Sequence, residues 1–360
     1  MCVKRNRLGW MCALVVGVSA VLCFGGAWAQ DRSGSEEGAM AEPELRFIES
    51  NGIRMRIAEM GEGPLVLFIH GWPESWYSWR HQLPAIAKAG YHVVAPDMRG
   101  YGKTDKPEDV GAYDIEHLTA DVVGIIDALG EETAVVVGHD WGSIVAWNCL
   151  LLHPERFSAL VAMSVPYSGR AAASPLSSWQ TRFGDNFFYI LYFQEMGVAE
   201  AEFDADPRGI LSRLYLSPDS PRKPVEVSDP KRAAGGWIPR LGEPEGLPAW
   251  LTQKDLDYYV SEFTEAGFRG GINYYRNFQR NWEITPQLDG AQIEQPVLFV
   301  AGEKDIVIAG ASEGQLRGAM GRVAKDLRGV TLIPKVGHWV QQESASETNA
   351  ALIAFLEGLD

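Results

Sequence analysis

Val135-Val136-Val137-Gly138-His139-Asp140-Trp141-Gly142-Ser143 decides how the rest of the chain is read. The β-branched run predicts a short strand, and 143–152 predicts a helix. The pentapeptide Gly138-His139-Asp140-Trp141-Gly142 therefore lies on a strand-to-helix turn with a glycine at each end. Small flanking residues let such a turn tighten until its middle side chain projects above the sheet. That side chain is usually serine; here it is aspartate. A serine attacking a saturated carbon would leave an ether, which an imidazole-activated water does not cleave. A carboxylate leaves an ester, whose carbonyl water can attack. The pattern thus points to displacement at an sp³ carbon. Taken alone, the pentapeptide also fits an aspartate that merely caps the following helix.

Outward from this turn the chain alternates. Segments 45–50 and 53–60 flank Asn51-Gly52, a strong hairpin signal. Residues 65–69 predict a buried strand, 76–89 a helix and 92–95 a strand. Asp114 is placed to cap a helix whose apolar face holds Leu118, Val122, Ile125 and Ile126, with Gly130 as its stop. A further strand is expected at 160–164. Continuous apolar strands alternating with amphipathic helices imply a mainly parallel sheet covered on both faces. After Pro166 this rhythm breaks. Residues 168–289 are rich in aromatics, helical in pattern and without strong β-runs, and they include a Pro/Gly/charged stretch at 217–248. Alternation resumes at 296–300 and 330–333, closing with a helix near 346–359. One α/β domain with a mostly helical insertion is the simplest organisation.

An aspartyl ester needs a base to activate water, and the base needs an orienting acid. His338 follows the last strand and Asp305 follows the one before it. Nucleophile, acid and histidine, each after a strand, make a catalytic set in an order known for triads of this kind. Hydrolysis also places negative charge on the Asp140 carbonyl. The backbone N–H of Trp141, next after the nucleophile, is one expected donor. The N–H of Trp72, in His70-Gly71-Trp72-Pro73 after the 65–69 strand, is the second. His70 is read as a loop-shaping residue and Glu74 as a structural carboxylate, with the ordering of water as its alternative role.

These residues resemble the α/β-hydrolase-fold epoxide hydrolases over 45–360. Tyr77-Ser78-Trp79-Arg80 and Asp97-Met98-Arg99-Gly100-Tyr101-Gly102 add to the likeness. So do Leu191-Tyr192-Phe193-Gln194-Glu195 and Asn273-Tyr274-Tyr275-Arg276-Asn277, which resemble two cap segments that each carry a ring-opening tyrosine. The resemblance implies an α/β class fold: a core over 45–167 and 291–360, with a mainly parallel eight-stranded sheet. A mostly helical cap over 168–290 is inserted after the sixth strand. It also implies catalytic Asp140, His338, Asp305, Tyr192 and Tyr275, with Trp72 and Trp141 as oxyanion donors that also line the substrate site. Tyr189 and Tyr274 are left as packing residues. The implied reaction converts an epoxide to a vicinal diol through a hydroxyalkyl ester, with a small apolar epoxide and water as reactants. A haloalkane dehalogenase using the same aspartate is the alternative, although Trp72 stands where those enzymes commonly carry a halide-binding Asn.

The 360 residues carry 46% hydrophobic content and a formal charge of −15. Such acidity disfavours nucleic acid and anionic membranes as partners. Lys4, Arg5 and Arg7 precede an apolar run at 11–24, and Ala27-Trp28-Ala29 supplies small residues before Gln30. That is the signature of a secretory signal peptide at 1–29, followed by a linker at 30–44 and export to the periplasm or medium. No membrane association is expected after cleavage; an uncleaved N-terminal anchor is the other reading. Three of the four cysteines lie in this leader, leaving Cys149, which excludes an internal disulfide. Seven scattered histidines give no metal-ligand spacing, and no cofactor motif is present.

Overall fold

Asn51 and Gly52 take backbone φ angles of 48° and 75°, the two left-handed positions that a tight hairpin turn requires. They join β1 (Glu44–Ser50) to β2 (Ile53–Met60), paired antiparallel with Ser50 opposite Ile53. The computed structural model of the chain describes residues 42–359. The leader expected at 1–29 and most of the linker expected at 30–44 lie outside the described residues.

Strands β3 (Leu65–Ile69), β4 (His92–Pro96), β5 (Ala134–His139), β6 (Phe157–Met163), β7 (Ile293–Gly302) and β8 (Ala324–Ile333) complete the sheet. Its eight strands run in the order β1-β2-β4-β3-β5-β6-β7-β8. β2 is antiparallel to both neighbours, and all pairings from β4 through β8 are parallel. Both faces are covered, as the apolar runs demand. Val136 of β5 joins Leu67, Leu118, Val122 and Val145 in one core cluster. Its neighbours Val135 and Val137 join Phe68, Leu83, Ile86 and Leu352 in the other. The two-residue period of a strand thus feeds both layers at once, each such side chain contributing roughly 1.5–3 kcal/mol on full burial.

Helices α1 (Gln82–Lys88), α2 (Ile115–Leu129) and α3 (Trp141–Leu152) belong to the first part of the core. Asp114 caps α2 by accepting from the His117 N–H at 3.0 Å, and Gly130 ends it at φ 75°. Cys149 of α3 is fully buried. The single helix expected over 76–89 is instead two pieces, a 3-10 turn at Trp76–Trp79 and then α1. Pro84 explains the break. It has no N–H to donate and fits only the first turn of a helix, so α1 must restart just before it.

Between β6 and β7 the described residues hold helices and no sheet strand. They are α4 (Pro175–Phe183), α5 (Tyr189–Tyr192), α6 (Val198–Ala205), α7 (Pro207–Leu214), α8 (Gln253–Ala266), α9 (Arg269–Arg276) and α10 (Phe278–Ile284). The insertion therefore falls after the sixth strand. Its stretch 217–248 carries two 3-10 turns, Arg232–Ala234 and Ile238–Arg240, and otherwise irregular backbone. α11 (Glu313–Met320), α12 (Val340–Glu343) and α13 (Ala345–Glu357) complete the fold. β8 begins six residues earlier than the 330–333 run suggests, because Lys325, Asp326 and Arg328 sit in an edge strand with half-exposed positions.

Candidate active site

Asp140 sits between β5 and α3 at φ 52°, ψ −117°, a conformation that costs a non-glycine residue about 1–3 kcal/mol. Its surroundings enforce the turn. A Cβ on Gly138 would lie 2.1 Å from the Gly142 carbonyl oxygen, and one on Gly142 would lie 1.9 Å from that of Ile69. A Cβ on Gly71 would come within 2.5 Å of the Asp140 Cβ. Close packing of three backbones thus raises the carboxylate over the sheet. There the Trp72 N–H donates to Asp140 Oδ1 at 2.9 Å.

On the other side of Asp140, His338 Nε2 stands 3.6 Å from Asp140 Oδ2. Its Nδ1 meets Asp305 Oδ2 at 3.0 Å and Oδ1 at 3.1 Å. The sequence-expected triad is therefore brought together. Burial pushes the His338 imidazolium toward losing its proton, but the charges of Asp305 and Asp140 outweigh this and raise its pKa well above the ordinary value. Burial likewise works against the Asp305 anion. The His338 charge and hydrogen bond, with the Val307 N–H at 2.8 Å, hold its pKa below the usual value.

Behind the triad lies a buried pair that the sequence reading did not single out as functional. Glu74 accepts from the Gly71 N–H at 2.8 Å, from His139 Nδ1 at 2.7 Å and from Gln341 Nε2 at 2.8 Å. Burial opposes its charge, yet His139 and the Gly71 N–H bring its pKa down to about 2. The other nitrogen of His139 faces the His338 carbonyl oxygen at 2.8 Å, and the Ser164 hydroxyl donates to the same oxygen at 3.1 Å. One carboxylate thus ties the Trp72 loop, the turn of Asp140 and the His338 loop together. A His adjoining the nucleophile and a Glu four residues after His70 were the available signals. His70 shapes its loop as expected: Nε2 accepts from the Met98 N–H at 3.0 Å, leaving Nδ1 to donate to the Gly71 carbonyl at 2.8 Å.

The cap forms the ceiling. Tyr275 of α9 is buried against Trp72, Trp141 and Tyr189. Tyr189 of α5 stands edge-on to Tyr275, their ring centroids 5.7 Å apart. Burial raises the pKa of both phenols, and the charge of Asp140 raises them further, so both remain protonated donors. Tyr192, expected to be the partner of Tyr275, points elsewhere: its hydroxyl donates to Glu202 Oε2 of α6 at 2.8 Å. The correction has a local cause. α5 is a single turn, so Tyr189 at its start faces the site while Tyr192 at its end meets the carboxylate ten residues on. Tyr274 is a packing residue, as expected, donating to the Arg99 carbonyl at 2.9 Å.

Asp140, His338, Trp72, Tyr189, Tyr275 and Trp237 face one cavity of about 500 Å³, apolar in its walls with few convergent polar groups. The ring of Trp141 stands behind Tyr275, packed on Tyr274, Tyr275 and Phe278, rather than in the cavity wall where the sequence reading had put it.

The α/β hydrolase fold family matches residues 64–345. Epoxide hydrolase A of Mycobacterium tuberculosis is 49% identical over 327 residues, covering 89% of this chain and 99% of that protein. Epoxide hydrolase 1 of Siraitia grosvenorii is 39% identical, covering 88% and 99%. Among solved structures, epoxide hydrolase A from Mycobacterium thermoresistibile superposes with a TM-score of 0.80 at 48% identity, covering 88% of this chain and 99% of that one. An aspartate at the elbow, a histidine–aspartate pair beside it and relatives of this closeness lead to one conclusion: the chain belongs to the epoxide hydrolases of the α/β-hydrolase fold and converts an epoxide to a vicinal diol.

Proposed function

We propose that the reaction runs through a covalent ester on Asp140, with Tyr189 and Tyr275 as the ring-opening pair. One observation carries this reading. The Asp140 carboxylate lies in the same cavity as both phenols and 3.6 Å from a histidine backed by Asp305. A carboxylate oxygen of Asp140 attacks one epoxide carbon, and that carbon–oxygen bond breaks. The departing oxygen takes a proton through the tyrosines, which protonated His338 ultimately supplies. Alkylation also cancels the Asp140 charge, one of the two that hold the His338 proton, so the imidazole is freed to act as base. It then takes a proton from water, and the hydroxide formed attacks the Asp140 carbonyl. The N–H groups of Trp72 and Trp141 stabilise the oxyanion, a donor typically worth roughly 3 kcal/mol. Collapse expels the alkoxide, which takes the proton of the Asp140 carboxylic acid formed with it; the diol leaves, and the Asp140 carboxylate is restored beside protonated His338.

Replacing His338 with Gln is expected to stop the cycle at the ester, giving an intact mass of protein plus substrate. In the native enzyme, turnover in ¹⁸O-water should place label in the Asp140 carboxylate. Unlabelled aspartate after many turnovers, together with no adduct in the variant, would refute covalent catalysis.

The apolar wall of the cavity favours small apolar epoxides. Export is proposed on the basic and apolar leader with Ala27-Trp28-Ala29 ahead of Gln30. Sequencing the amino terminus of the protein recovered outside the cytoplasm checks it; a terminus at Met1 in all such material would rule out cleavage.

A further inference from the structure

The stretch 217–248 lacks regular structure over most of its length, yet it delivers one indole to a defined place above the nucleophile. Trp237 lies parallel to Trp72, with centroids 5.7 Å apart and 7° between planes. It also lies nearly parallel to Tyr189, at 4.9 Å and 17°. Trp72 supplies the N–H on Asp140 and Tyr189 is one of the ring-opening phenols. A group stacked on both of them is part of the wall that a substrate must pass, and Trp237 faces the cavity.

What holds it there is a carboxylate that the reaction does not use. Glu202 of α6 accepts the Trp237 N–H on Oε2 at 2.9 Å and the Ile238 N–H on Oε1 at 2.9 Å. The Tyr192 hydroxyl donates to Oε2 as well, at 2.8 Å. Both oxygens are thus engaged, Oε2 by two donors and Oε1 by one. Gly236 lets the chain come this near: a Cβ there would sit 2.2 Å from Glu202 Oε1. Gly235 precedes it in nearly extended backbone, at φ 155° and ψ 171°. To the backbone bonds that tie this irregular segment at Pro230 and Arg232 to Phe187 and Asp185, Glu202 of α6 thus adds a tie at the residue over the active site.

We propose that Glu202, braced by Tyr192, is a positioning residue that clasps the 217–248 segment and so fixes Trp237, and that Trp237 sets the size and handedness of epoxide the enzyme accepts. The inference rests on the cavity over Asp140 being the substrate site. Removing the indole, or releasing the backbone that carries it, should have the same consequence. Space opens beside Tyr189, bulky epoxides gain relative to small ones, and discrimination between enantiomers falls.

The test has two arms. In the first, amide hydrogen exchange resolved to single residues is measured on the whole protein. The amides of Trp237 and Ile238 are expected to be protected from exchange, and Glu202→Gln, which presents an amide NH₂ to one of them, is expected to remove that protection while leaving that of Arg232, bonded to the Asp185 carbonyl, in place. Unprotected amides in the native protein would overturn the clasp without recourse to any variant.

In the second arm, kcat/KM is measured for stilbene oxide and for each enantiomer of styrene oxide. Trp237→Ala and Glu202→Gln should each raise the stilbene-to-styrene ratio by about tenfold and lower the enantiomer ratio. The double variant should add little, because both changes act on one element. Tyr192→Phe, which removes one of the three donors and is the milder test should Glu202→Gln fold poorly, should shift the ratios part of the way. A general loss of stability lowers all rates together and does not move such ratios. Ratios altered by Trp237→Ala but native in both Glu202→Gln and Tyr192→Phe would remove Glu202 from the account; native ratios in Trp237→Ala would remove Trp237. A native protein inert to all these epoxides would instead defeat the epoxide reading, with the exchange arm still judging the clasp.

Discussion

Two tyrosines three positions apart, Tyr189 and Tyr192, show how a single hydrogen bond can decide a residue's role. Tyr189 shares the cavity with Tyr275, whereas Tyr192 spends its hydroxyl on Glu202. Tyr189→Phe and Tyr275→Phe should therefore each slow the alkylation step by about 10²- to 10³-fold, the usual cost of one donor to a developing oxyanion. Rapid-quench measurement of ester formation in a single turnover checks this. Tyr192→Phe slowing that step as much as Tyr189→Phe would return the role to Tyr192. The triad was legible in the sequence because Asp140, Asp305 and His338 each lie in the short loop after a parallel strand, and those strand ends share one edge of the sheet. The proposed ring-opening pair was only half legible. A one-turn helix offers too few residues to fix its phase, and the group that captures Tyr192 arrives from another helix. Trp141 was misjudged for a related reason. Its backbone position follows from the turn, but its ring direction depends on Tyr275 and Phe278 in helices more than 130 residues away in the chain.

At the scale of elements, legibility tracks how far a segment's structure depends on itself. β3, β5 and the elbow were readable because apolar runs, glycines and a capping residue are local signals. The break inside 76–89 was written in Pro84, yet it was masked by the apolar pattern on either side. The placement of 217–248 was not readable at all, since Glu202 and Trp237 are 35 residues apart and no periodicity links them. The elbow makes its own prediction. In Gly142→Ala the new Cβ would meet the Ile69 carbonyl at 1.9 Å, and backbone cannot yield as a flexible side chain can. β3 and α3 must separate, costing roughly 1–3 kcal/mol or more. The same displacement moves Asp140 from the Trp72 N–H, so kcat/KM should fall by about 10²-fold. Thermal unfolding and steady-state kinetics on one preparation measure both. A variant with native melting and native kcat/KM would show that the elbow tolerates the expansion and that its glycines are not sterically required.

For the whole molecule, the catalytic charges are also stability terms whose signs can be separated by pH. His338 has its pKa raised in the folded state above an unfolded value near 6.5. Its contribution is therefore fully present below about pH 6.5 and is lost as pH rises through the folded value. Glu74 works the other way. Its pKa is lowered from 4.5 to about 2, so its contribution is present above about pH 4.5 and fades as pH falls toward 2. Other buried groups add slopes of their own; His70, lowered by burial, favours higher pH, while Asp121, raised by burial, favours lower. The total curve mixes them, but a difference between two proteins isolates one. The Tm of the native protein minus that of His338→Gln should be largest at or below about pH 6.5 and should shrink steadily as pH rises, because only the native protein loses the imidazolium between two carboxylates. The Tm difference between native protein and Glu74→Gln should instead be flat above about pH 4.5 and shrink on acidification. A His338 difference that grows with pH would mean that burial, not Asp305 and Asp140, governs the imidazole. It would then be neutral at rest, and the proton for the opened ring would have to come from solvent.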